Sequence, residues 1–81
     1  MTVLVFGDEW DRALMTRTIK VLEAMGARLV DKFGGIAGSQ EIGVQVWDLE
    51  GQIIRLEAET YMGLSIEASD LVLAEVRRRL A

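Results

Sequence analysis

Histidine, cysteine and proline are all absent from this chain. Without histidine or cysteine there is no Ser-His-Asp or Cys-His pair and no imidazole to move protons at neutral pH. Zinc sites built from nitrogen and sulfur ligands are excluded for the same reason. Without cysteine no disulfide can form, so packing alone must hold the fold, which is compatible with a reducing, cytoplasmic setting. Long apolar runs are missing too. The opening Met1-Thr2-Val3-Leu4-Val5-Phe6 has no basic flank and gives way at once to Gly7-Asp8-Glu9. That is too short for a signal peptide or a membrane span, so no membrane partner is expected.

Positive charge is also scarce. Nine basic residues face thirteen acidic ones, for a formal charge of −4. A phosphate-backbone binder needs a positive footprint, so nucleic acid is not an expected partner. The basic run Arg77-Arg78-Arg79 reads as helix-end chemistry, with cations offsetting the negative end of the helix dipole.

What remains is a globular composition: 81 residues, of which 51% are hydrophobic and 27% charged. Such a length supports one domain, residues 1–81, around one core. Val3-Leu4-Val5-Phe6 reads as a buried strand ended by Gly7. Asp8 then reads as a helix N-cap, with Glu9 and Asp11 in the first turn. Trp10, Leu14, Met15, Ile19, Val21, Leu22 and Met25 form an apolar stripe, which makes Trp10 a core residue. Gly26 ends the helix in the left-handed conformation. Arg28 to Phe33 is a second strand, and Gly34 to Gln40 a flexible connection. Strand periodicity resumes over Ile42–Trp47 and again over Ile53–Glu59. Thr60 to Ile66 predicts a bend at Gly63 and a short further strand. Ser69 caps a last helix carrying Val72, Leu73, Val76 and Leu80 on one face.

The expected fold is therefore α+β. It is a two-layer sandwich, with two helices on one face of a mainly antiparallel sheet of three to four strands, in the order β-α-β-β-β-α. A three-residue loop Leu49-Glu50-Gly51 would set Trp47 opposite Ile53 and Val46 opposite Ile54. One face then becomes Ile42, Val44, Val46, Ile54, Leu56 and Ala58, and the other Glu41, Gly43, Gln45, Trp47, Ile53, Arg55, Glu57 and Glu59. A two-residue turn at Glu50-Gly51 would pair Val46 with Arg55 and mix the faces, so the cleaner pattern is preferred.

Candidate chemistry is thin. Gly34, Gly35 and Gly38 form no dinucleotide fingerprint and precede a strand, whereas phosphate loops lead into a helix. The Asp8, Glu9, Asp11 cluster matches no calcium loop. Glu57 and Glu59 share a strand face, with Glu41 beside them, and read as a solvated acidic stripe. No cofactor, metal or catalytic residue is expected. The outer sheet face is the candidate partner-binding surface, formed by Trp47, Ile53, Gln45, Arg55 and Glu57, because an exposed Trp beside Ile with polar neighbours resembles an interface centre. The leading expectation is a small non-catalytic protein-binding module of inhibitor or immunity type, its acidity suited to a basic protein. A self-associating domain, such as a homodimer, is one alternative. A small-molecule sensor or minor enzyme with Arg55, Glu57, Glu59 and Tyr61 around a shallow site is the other.

Overall fold

Among the described residues seven elements follow one another: β1 (Thr2–Gly7), α1 (Arg12–Ala24), β2 (Arg28–Ala37), β3 (Gln40–Leu49), β4 (Gln52–Glu59), β5 (Gly63–Ala68) and α2 (Asp70–Leu80). This computed structural model describes residues 1–38 and 40–81. The strands form one antiparallel sheet in the order β1-β5-β4-β3-β2. The expected α+β sandwich is present, with five strands where three to four were predicted. Gly63 does not merely bend the chain. With Tyr61 at φ 70° and Gly63 at φ 91°, residues 60–62 close a hairpin in which Glu59 pairs with Gly63, and the short run behind it becomes a full strand.

Both helices cover the same side of the sheet. Leu22 of α1 and Val72, Leu73 and Val76 of α2 join Trp47, Ile54, Leu56, Leu64, Ile66 and Ala68 in a single core. The ends of the helices explain their lengths. Asp11, not Asp8, caps α1, its side chain accepting from the Leu14 amide at 2.9 Å. Asp8 instead accepts from the Trp10 amide at 2.9 Å, two residues on, and shapes the turn that leads into the helix. Trp10 therefore precedes the helical stripe and is 68% exposed, not core as its spacing suggested. At the other end the Ala27 amide donates to the Leu22 carbonyl and the Gly26 amide to that of Glu23, each at 3.0 Å, with Gly26 at φ 96°. This is the Schellman arrangement expected of a glycine after the last helical residue. Ser69 caps α2 through the Val72 amide at 3.3 Å, and Arg17 of α1 donates to the Leu80 carbonyl at 2.6 Å, tying the two helices together.

The connection expected over Gly34 to Gln40 is mostly strand. Gly34 pairs with Gly43, Gly35 with Ile42, Ile36 with Glu41 and Ala37 with Gln40, so β2 and β3 make a long hairpin arm. Ser39, within that predicted connection, lies outside the described residues. Gly34 alone of these glycines serves close packing: a Cβ there would fall 2.3 Å from the Ile42 carbonyl oxygen, whereas one on Gly35 or Gly38 would meet nothing within 4 Å.

Candidate functional site

The β3–β4 turn decides what each sheet face carries. Leu49 pairs with Gln52, so the loop is the two-residue Glu50-Gly51, and Trp47 faces Ile54 rather than Ile53. Glu50 at φ 50° and Gly51 at φ 86° are both left-handed, which is the type I′ hairpin. The Asp48 side chain accepts from the Gly51 amide at 2.9 Å and steadies the turn. Holding Glu50 left-handed costs about 1–2 kcal/mol. Against this, the register turns Trp47 into the core, where it is 4% exposed. Removing an indole's area of roughly 150–250 Å² from water is worth about 4–6 kcal/mol. The tryptophan wins, and the preferred three-residue loop is overturned.

Two of the five predicted interface residues leave the outer face in consequence. Trp47 and Gln45 point to the helix side, where the indole N–H donates to the Gln45 side-chain oxygen at 3.1 Å. Glu41 and Gly43 move with them, so Glu41 does not stand beside Glu57 and Glu59. The β4 residues stay as expected: Ile53, Arg55, Glu57 and Glu59 lie on the face without helices. The predicted apolar face is likewise split. Ile54, Leu56 and Ala58 turn to the helices, whereas Ile42, Val44 and Val46 turn to the open side, because opposite residues share a face.

The open face is thus more apolar than its sequence pattern suggested. One row across the sheet runs Val5, Ser65, Glu57, Val44, Phe33; the next runs Val3, Glu67, Arg55, Val46, Asp31. Val44 is only 2% exposed yet lies outside the helix-side core. Its paired neighbours are Phe33 and Glu57, and the Arg55 guanidinium lies 5.8 Å from the Phe33 ring centre while its Nε donates to Glu57 at 2.6 Å. This cluster forms a small second core that, among the described residues, neither helix covers. Val3, Val5, Phe33 and Ile53 remain about half exposed around it. Between the β1 valines and the Phe33 side runs a shallow cleft of about 210 Å³ lined by Val3, Arg55, Glu57, Ser65 and Glu67.

Charge on this face is mainly negative. Glu57, Glu59, Glu67, Asp31 and Asp48 lie on it, against Arg55 and an Arg28 that pairs with Asp48 at 3.6 Å. Tyr61 sits in the β4–β5 turn, 76% exposed, and does not line the cleft that holds Arg55. The carboxylates of Asp8 and Asp11 are spent on backbone amides.

The sequence signal that would have found Phe33, Val44 and Val46 was the turn. Glu50-Gly51 closing as a two-residue hairpin places them on the open face at once. Comparison with known proteins returns no matching family model, curated protein or solved structure.

Proposed function

We propose that this chain is a small non-catalytic protein-binding module, of inhibitor or immunity type, whose contact surface is the open face of its sheet. The observation that carries this reading is the set of half-exposed apolar side chains Val3, Val5, Phe33 and Ile53, arranged around the buried Val44 and beside Val46, on the side the helices leave bare. Apolar positions mixed with Arg and bordered by charge are the composition of an interface core and rim. The acidic residues threaded through the face select the partner's chemistry: a protein surface that is basic, with apolar side chains to meet the valines and Phe33. A second copy laid face to face would set Glu57, Glu59 and Glu67 against the same groups, which like-charge repulsion opposes. A cytoplasmic setting belongs to the same proposal. Among the described residues no helix is long and apolar enough to cross a membrane.

The test is capture from source-cell lysate by three baits: wild type, the open-face variant Val3→Lys/Ile53→Lys, and Leu71→Lys as a control. All three positions are substantially exposed, with Leu71 at 86% on α2. The expected result is a basic protein retained by wild type and by the Leu71 variant, released by raised salt, and lost from the open-face variant. Equal retention by all three baits, or no specific retention by wild type, contradicts the proposal.

A further inference from the structure

The edge strand β2 is built to be paired again. Among the described residues its one sheet neighbour is β3, which leaves its outer main chain without a strand partner, although the Lys32 amide already donates to the Asp31 side chain at 2.8 Å. Natural edges are blunted by prolines, by short length, by bulges or by charged side chains, of which the regular stretch of this strand carries Asp31 and Lys32. Here the chain has no proline, and the strand spans 10 residues. A bulge falls at Leu29/Asp31, leaving Asp31–Ala37 regular. Phe33 is 48% exposed and Ile36 75%. Such an edge accepts an added strand through its main chain, and the alternating side chains choose which strand.

We infer that the added strand is β2 of a second copy, paired antiparallel about a twofold axis through Gly34. In a continuous sheet, opposite residues share a face, so open-face residues of one copy must meet open-face residues of the other. That leaves axes centred on single residues. Centring on Asp31 or Lys32 sets like charges against each other. Centring on Gly34 uses the whole regular stretch and avoids them. Phe33 then lies opposite the partner's Gly35, where the space above the glycine is open to 4 Å. Lys32 lies opposite the partner's Ile36, its aliphatic stem on the apolar side chain and its ammonium free to reach water. Each contact occurs twice. The strand complements itself, which is the reason to name a second copy rather than a foreign peptide. The product is a ten-stranded sheet with both open faces bare on one side. The dimer therefore neither needs nor blocks the partner reading above. An edge pairing of this length is at the small end of specific interfaces, so dissociation constants on the order of micromolar or weaker are expected.

The experiment is sedimentation equilibrium from low micromolar to near-millimolar concentration on wild type, Ile36→Lys, and Ile36→Lys/Lys32→Glu. Both positions are exposed, so the monomer fold is preserved. Wild type is expected to pass from monomer to dimer. Ile36→Lys sets two lysines against each other at both ends and should weaken the dimer on the order of tenfold. The double variant exchanges that repulsion for attraction and should restore it. A monomer at every concentration overturns the inference. So does a dimer indifferent to Ile36→Lys, or a double variant no better than the single one. None of these outcomes bears on capture of a basic protein by the open face.

Discussion

The two tryptophans make a paired test at the scale of the residue. Trp47 is 4% exposed and Trp10 68%. Trp47→Ala is expected to cost about 3–5 kcal/mol, much of the stability of a domain this small, whereas Trp10→Ala should cost under about 1 kcal/mol. Urea denaturation measures both, and acrylamide should quench the Trp10 emission far more than that of Trp47. A mild Trp47 variant would contradict the pairing of Trp47 with Ile54. Glu75 gives a second prediction. Hydrogen bonds from Arg78 and then Arg79 hold its carboxyl down from the ordinary 4.5 to about 2. A carboxylate whose folded pKa is depressed favours the fold fully above its unfolded pKa, and loses that contribution as pH falls from 4.5 through about 2. The group is on the surface, so the effect should be small and should shrink with salt. NMR titration of the Glu75 carboxyl should show this low midpoint, and an ordinary midpoint would dissolve the pairing.

Among the elements, the helices were readable because their signals are local. Ser69 and Gly26 act where their chemistry says a cap and a stop belong. Asp8 and Asp11 show the limit of that logic. Two aspartates three residues apart can each start a helix, and only the hydrogen bonds tell the cap from the turn before it. Strand register is harder because it is settled across the sheet. The alternation of β3 and that of β4 were each correct, but their relative phase depended on a single turn residue. Burying Trp47 required Glu50 in a conformation it disfavours, and a search for the cleanest apolar face rejects that solution. Of the residues expected on the outer face, Ile53, Arg55 and Glu57 lie there, whereas Trp47 and Gln45 turn to the helices with the shifted phase of their strand. The strain at Glu50 is testable. Glu50→Asn supplies the residue that a type I′ turn prefers beside glycine and should raise stability by about 0.5–1 kcal/mol. A loss of stability in thermal or urea unfolding would contradict the two-residue turn.

Across the whole molecule, the helices close one side of the sheet and leave the other with apolar and acidic side chains interleaved. The chain extends to 36 Å along its longest axis, and both the bare face and the bare β2 edge belong to the same sheet. The edge offers main chain and suits a matching strand, whereas the face offers side chains and suits a complementary surface. The most direct test of the face is methyl NMR on the protein titrated with the basic protein it captures. Shifts concentrated on Val3, Val5, Val44, Val46 and Ile53, with Leu71 and Leu73 undisturbed, are the predicted result. Shifts centred on the α2 leucines, with the sheet valines unmoved, would contradict it.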